Sequence, residues 1–446
     1  MTGRAIAIVD LGFGDAGKGL ITDFLARSLG ARLVVRFNGG AQAGHNVVRP
    51  DGRHHTFSQL GAGTLVPGVR THLASKVVVH PTALLVEAEH LAGRGVTDAL
   101  SRLTVSRDAL VVTPLHQAAC RLRELARGRA RHGSVGVGVG EAVRDGEAHS
   151  RDAVRVGDLG DAAALRRRLA RVAERVRCSL GDALGVAEQA PGGAQEARVL
   201  DDPGFVEAWI DATRPFVASV AVTSDETVGA PLREGHHVLF EGAQGVLLDE
   251  DWGFHPYTTW SRCTPANADD LLRAIGFGER AQRLGVARVY AHRHGAGPLP
   301  TESPELTALI HEPHNVDGPW QGRFRVGFAD LVLARYARSV CSVDAVALTH
   351  LDALAGRPTW PVAVAYDDAG SAGRASDLAV LSPADLALRD ERTRSLAGAR
   401  PVYAELEAEH VPTALGRAYG APVAFTGHGP TAEHVRAAAR SALATW

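Results

Sequence analysis

Short, almost uniformly apolar runs bounded by glycine or proline alternate along the chain with stretches of helical period. A-I-A-I-V-D-L (5–11) and A-R-L-V-V-R-F (31–37) lack the apolar/polar alternation of a half-exposed strand and read as strands of a parallel sheet, buried on both faces. L-I-T-D-F-L-A-R-S-L (20–29) between them has the period of a crossover helix, so the chain opens with a βαβ unit. Further buried strands are expected at 78–80, 236–242, 287–292, 345–351 and 422–427. The sum is an α/β fold, a mostly parallel central sheet with surrounding helices, forming one domain over residues 1–446.

Between these runs, Leu165, Leu169, Val172 and Val176 share one helical face, and the arginines around it read as a solvated amphipathic surface rather than a nucleic-acid patch. The segment 188–204 reads as a loop. With 446 residues, 45% of them hydrophobic, the chain can bury a large core without a staple. Lys+Arg 48 against Asp+Glu 50 gives a net charge of −2, so no global field recruits nucleic acid and function must reside in local sites. Four cysteines without a C-x-x-C pair fit neither a zinc site nor a disulfide framework. The absence of a cleavable signal pattern or a long apolar span completes the expectation of a cytoplasmic protein with no membrane partner.

The chemistry concentrates in two glycine-rich loops. V-D-L-G-F-G-D-A-G-K-G-L (9–20) follows the first strand and resembles a Walker loop, in which backbone N–H groups and a helix N-terminus cradle polyphosphate and Lys18 adds a point charge. Gly19 stands where such a loop carries its Mg²⁺-binding hydroxyl, and Asp15 can supply the missing oxygen ligand. V-V-R-F-N-G-G-A-Q-A-G-H-N-V-V (34–48) follows the second strand and brings Gly44 and His45 to the same sheet edge, where ligands of open α/β sheets bind. His45 there reads equally as a structural and as a catalytic residue.

Together the two loops resemble those of the adenylosuccinate synthetase family, G-D-E-G-K-G-K and G-G-x-N-A-G-H-T. V-R-V-G-D-L (154–159), F-E-G-A-Q-G-V-L-L-D-E-D-W-G-F-H-P-Y-T-T (240–259), H-G-A-G-P-L-P-T-E (294–302), L-T-H-L-D (348–352) and F-T-G-H-G-P (425–430) match further family stretches in order. The resemblance implies a P-loop-like GTP-binding ligase. An aspartate removes the N1 proton of a purine lactam, the 6-oxyanion attacks the γ-phosphate of GTP, and an incoming amine displaces the phosphate. It implies Asp15 as base and Mg²⁺ ligand, a Gly44 carbonyl on the metal, His45 as general acid and Gln244 as donor to the oxyanion. Gly14, Gly17, Lys18, Gly19 and Gly427 would hold GTP, Asp352 would pair with guanine, and Thr259 would touch the acceptor 5′-phosphate. Arg151 would reach that phosphate across a two-fold interface, which makes a homodimer the expected assembly. Without the family, Arg151 reads as ordinary surface and Asp352 as a cap.

The departures fall on the acceptor and donor pockets. Gln42 replaces an asparagine beside the reacting carbonyl, Val135 a hydroxyl, Val137 an arginine, His294 a valine near the ribose, and His350 a lysine over the guanine. Ala16 and Leu20 replace Glu and Lys. G-R-F-R-V-G (322–327), preceded by Trp320, stands for an arginine cluster that clamps aspartate, and keeps Arg323 and Arg325 on alternate residues, where an extended segment would point both to one carboxylate site. The expectation is therefore a diverged ligase that joins the amine of aspartate or a related amino acid to a nucleotide or nucleoside-like acceptor. The alternatives are the housekeeping enzyme acting on IMP and L-aspartate, and a non-catalytic GTP-binding regulator; retention of both Asp15 and His45 argues against the regulator.

Overall fold

Residues 3–310, 312, 315, 322–367, 374–438 and 446 are described by the computed structural model. The first strand, Ala5–Asp10, is buried at all six positions and lies inside a ten-stranded sheet. From one edge the strands run Val435–Ala437, Val423–Gly427, Ala345–Thr349, Gln282–Arg288, Ala5–Asp10, Val238–Glu241, Leu33–Arg36, Arg70–Leu73, Leu103–Ser106 and Ala221–Thr223. Every neighbouring pair is parallel except the first. A parallel sheet this wide needs cover on both faces. Helix Lys18–Ser28 lies on one face with Ile21 and Leu25 fully buried, and helix Leu331–Val340 packs into the cluster that holds Val9, Val35 and Phe240.

Most of the expected strands are present, with two corrections. The strand expected at 287–292 runs over Gln282–Arg288 instead, and Ala291–His294 pairs antiparallel with Phe324–Gly327 outside the main sheet. The aromatic and branched residues Val289 and Tyr290 pulled the reading toward the turn that follows. Val78–Val79 is a strand, but it pairs with Leu110–Val111 in a small separate ladder. The stretch 188–204 is helical rather than a loop: Gly193–Asp201 and the start of Pro203–Ser219 follow Asp182–Glu188. Ala197 and Leu200 bury there into a helical cluster with Leu165, Leu169, Val172 and Val176, which carry the expected apolar face. Among the described residues, no helix is long and apolar enough to cross a membrane.

Candidate functional site

Strand register assembles the site. Ile8 pairs with Glu241, Glu241 with Arg36, Asp10 with Val286 and Arg288 with Thr349, so five adjacent strands end at one edge. The loops after Asp10, Arg36, Glu241, Arg288 and Thr349 leave that edge side by side.

The first of these loops is built around an internal anion. Asp10 Oδ1 accepts from the N–H of Gly12 at 2.9 Å and of Gly14 at 3.3 Å, and Oδ2 from the N–H of Ala16 at 2.9 Å and from Lys18 Nζ at 2.9 Å. Both partners of the Lys18–Asp10 pair are buried, at 2% and 0% exposure. The expectation that the loop's N–H groups and Lys18 all await a ligand is thus corrected: three N–H groups and the ammonium already have a partner. The N-terminus of helix Lys18–Ser28, capped by Gly17 at φ 95° without a side-chain cap, remains as the anion-facing surface. Thr349 closes the loop from strand Ala345–Thr349, two places along the sheet, its Oγ1 donating to the Ala16 carbonyl at 2.7 Å.

Asp15 sits at the crest, in the left-handed region at φ 53°, its side chain 32% exposed. Desolvation raises its carboxyl above the usual range, and the charges of Lys18, His294 and Arg288 oppose that shift. His45 begins strand His45–Val48, and a Cβ on Gly19 would lie 3.1 Å from its own Cβ, so the second loop rests on the helix start. His45 Nδ1 lies 2.7 Å from Glu241 Oε1, while its buried Nε2 has no hydrogen-bond partner among the described residues. Burial and the Arg36 charge hold its pKa down at about 4 despite the glutamate, so the ring is neutral and Nδ1–H donates. Gln244, at φ 56°, places its side chain against Gly39, where a Cβ would meet Oε1 at 2.9 Å, and its Cα backs onto Gly14. Gln244 Oε1 is likewise buried without a partner among the described residues.

A carboxylate, an imidazole and an amide thus converge on a helix N-terminus, in a chain whose residues 7–434 match the adenylosuccinate synthetase family profile. The chain belongs to the adenylosuccinate synthetase family. It is 35% identical to the adenylosuccinate synthetase of Saccharopolyspora erythraea over 369 residues, covering 81% of each chain. To that of Mycobacterium tuberculosis it is 33% identical over 96% of both. Among solved structures, fully ligated adenylosuccinate synthetase from Plasmodium falciparum superposes with a TM-score of 0.77 at 22% identity, covering 98% of this chain and 100% of that one. Cyanophage S-2L succinoaminodeoxyadenylate synthetase does so with a TM-score of 0.62 at 19% identity, covering 100% and 98%. The protein is a GTP-dependent carbon–nitrogen ligase of the adenylosuccinate synthetase type.

Within this synthetase fold the remaining expected positions separate. Asp352 is exposed on the turn Leu351–Leu354 that follows strand Ala345–Thr349, and a Cβ on Gly427 would lie 3.7 Å from Leu20, so Gly427 backs onto the helix that follows the phosphate loop. Gly44 and Gln42 lie on the second loop, and Gln42 Oε1 is buried without a partner among the described residues. His294 Nε2 lies 3.7 Å from Asp15 Oδ2 and its ring packs 4.8 Å from that of Phe324. Thr259 donates its N–H to the Leu248 carbonyl at 2.7 Å, Val135 is 37% exposed, and Arg151 is exposed just beyond helix Val139–Ala148. Trp320 lies outside the described residues.

The two donor-loop arginines do not act alike. Arg325 Nη1 binds Glu302 Oε2 at 2.6 Å, and Nη2 binds the carbonyls of Gly295 and Gly297 at 2.7 and 2.8 Å. The expectation that it binds a donor carboxylate is corrected, since its fork braces the 294–302 loop. Arg323 is exposed and retains the candidacy.

Three residues of the synthetase site escaped the sequence reading. Asp10, Glu241 and Arg288 each end a buried strand, where a lone charged residue after an apolar run is the available signal. Behind the loop, a cavity of about 40 Å³ is lined by Gly12, Phe13, Arg288, His292 and Asp330. Burial pushes the Asp330 carboxyl up to about 6, although it caps helix Leu331–Val340 and accepts from Tyr366 at 2.6 Å. A raised acid favours the fold below its unfolded pKa of about 4, and that contribution, of order 3 kcal/mol, is lost as pH rises through about 6. Asp330→Asn should therefore flatten the stability-against-pH curve between about pH 4 and 6, measured by urea unfolding.

Proposed function

We propose that this ligase transfers the γ-phosphoryl group of GTP to a purine-type lactam carbonyl and replaces it with the amine of aspartate or a related amino acid, on an acceptor other than IMP. Asp15 takes the N1 proton and the electron pair moves to the 6-oxygen, which bonds to the γ-phosphorus as the bond to GDP breaks. The amine nitrogen then bonds to C6 as the C6–O bond breaks, and its surplus proton leaves on the departing phosphate. Gln244 offers its amide N–H to the developing oxyanion. Glu241 fixes the proton on His45 Nδ1 and leaves the buried Nε2 without a partner among the described residues. Phosphoryl oxygens arriving there counter the Arg36 charge that depresses the imidazole, so Nε2 can carry a proton toward them. Asp15, partly exposed, and the Gly44 carbonyl are hard oxygen donors that suit Mg²⁺, which when bound would neutralise phosphate charge.

The observation that supports the altered acceptor is the character of the residues standing at the positions that the resemblance gives to the acceptor. Val135 is exposed where the resemblance sets a hydroxyl, and the 41% exposed Trp260 lies against Gly140 with Arg144 over its ring at 5.2 Å. The cyanophage enzyme is bound to dGMP with dATP as energy donor, so this fold is not tied to IMP and GTP. Arg323 would hold a donor carboxylate, and Arg151, exposed, would reach the acceptor of a second copy in a homodimer. The housekeeping reading is favoured by the 33% identity over 96% of the mycobacterial enzyme.

Incubation with GTP, Mg²⁺, amino acids and a panel of purine nucleotides and nucleosides, read by mass spectrometry and phosphate release, tests the proposal. Phosphate should appear only with the true acceptor and amine. Efficient turnover of IMP with aspartate would establish the housekeeping enzyme, and GTP binding without any product would leave the regulator. Asp352→Asn should reduce kcat/KM for GTP by some tens of fold, at ~1.5–3 kcal/mol for charge-assisted bonds, and narrow the preference over ATP. Equal kcat/KM for GTP and ATP in the unaltered enzyme would remove Asp352 from guanine recognition.

A further inference from the structure

The geometry points to Arg288 and Glu312 as positioning residues for Asp15, joined to it in a closed ring of side chains. Arg288 Nε and Nη2 both donate to the Asp15 carbonyl, at 2.9 and 2.6 Å, with the arginine side chain only 3% exposed. That fork clamps the one residue of the loop other than glycine that adopts positive φ, a backbone state that drifts toward ordinary values unless surrounding contacts fix it. Arg288 Nη1 donates to Tyr290 Oη at 2.6 Å and to Glu312 Oε1, and Tyr290 Oη donates to the same Oε1 at 2.5 Å. Glu312 Oε2 accepts from Asn315 Nδ2 at 2.7 Å. Asn315 Oδ1 lies 3.3 Å from His294 Nε2, and that nitrogen lies 3.7 Å from Asp15 Oδ2. The ring starts on the backbone of the base and returns to its carboxylate.

Without Glu312 the Arg288 guanidinium would be a buried charge with only neutral partners. Without Arg288 the Asp15 carbonyl would lose both its donors, leaving that peptide held only through the Ala16 N–H, while the rest of the phosphate loop, held by Asp10, stayed in place. The arrangement therefore separates base geometry from nucleotide binding. It also ties that geometry to Glu312 and Asn315. The inference rests on Asp15 being the base.

The test compares Arg288→Met, Arg288→Lys and Glu312→Gln with the unaltered enzyme, measuring kcat, KM and the GTP dissociation constant by equilibrium dialysis. A misplacement of about 1 Å lowers rates by around 10²-fold. Arg288→Met should therefore lower kcat about 10²-fold with GTP affinity within about threefold. Arg288→Lys should recover roughly tenfold, since an ammonium reaches the carbonyl with one donor. Glu312→Gln, nearly isosteric, should lower kcat about tenfold, and carries the test should Arg288→Met fail to fold. In an Asp15→Asn background, Arg288→Met should have no further effect on the residual rate, because its action passes through Asp15. The inference is overturned by a kcat within about threefold of the parent in the folded variants, by GTP affinity falling in step with kcat, or by additive losses in the Asp15→Asn background. Undiminished turnover in Asp15→Asn would overturn the base assignment itself. An inactive Asp15→Asn beside a fully active Arg288→Met overturns only the positioning role.

Discussion

Asp15→Asn should lower turnover with the true acceptor by about 10²–10⁴-fold while GTP affinity changes only a few fold, and His45→Asn should do the same. Asparagine keeps the size of Asp15 and leaves the main-chain clamp from Arg288 in place, so the loop retains its shape while losing the carboxylate proposed to accept the proton. The Asp10 contacts that shape the loop involve neither Asp15's side chain nor His45. A single-turnover assay with labelled GTP separates the two quantities. Near-normal turnover in either variant would remove that residue from the chemistry.

The second large effect is expected at Glu241, whose carboxylate is fully buried and bonded to His45 at 2.7 Å and to the N–H of Ala62 at 2.9 Å. Burial alone would raise its pKa, but His45 and Arg36 hold it below the usual range. Glu241→Ala leaves the His45 Nδ1–H and the Ala62 N–H buried without an acceptor, and each such orphaned donor costs about 1–3 kcal/mol, visible as a lower urea midpoint. Glu241→Gln keeps the volume but allows its amide to donate to Nδ1, so the His45 proton moves to the other ring nitrogen. A tautomer error of this kind in a base–orienter pair costs up to about 10⁴-fold in kcat. Activity should therefore collapse in Glu241→Gln with a smaller stability loss than in Glu241→Ala. Equal stability and full activity in both would show that His45 needs no orienting partner.

Strands such as Ala5–Asp10 and Ala345–Thr349 were legible because burial on both faces leaves an uninterrupted apolar run. Arg70–Leu73 and Leu103–Ser106 were not, since R-T-H-L and L-T-V-S carry polar groups that are satisfied only in the fold, as when His72 bonds Thr104 at 2.9 Å and Asp225 at 3.0 Å. At the site, glycine spacing marked the loops and the family motifs marked Asp15 and His45. The partners of those residues were hidden, because Glu241 and Arg288 lie 196 and 273 positions away and only the strand order 288–10–241–36 makes them neighbours. The same limit explains Arg325: alternation along a strand says which side it faces, and the Glu302 carboxylate waiting there belongs to another segment.

The Asp10 carboxylate gives the phosphate loop a standing occupant for its inward-facing N–H groups, so the loop is already formed when nucleotide arrives. Association then orders little backbone. Calorimetry of GTP binding should show neither the large unfavourable entropy nor the large negative heat-capacity change of a segment that folds on its ligand. Because the buried ammonium of Lys18 is already neutralised, the long-range pull on a polyanion is modest, and the association rate should depend only weakly on ionic strength.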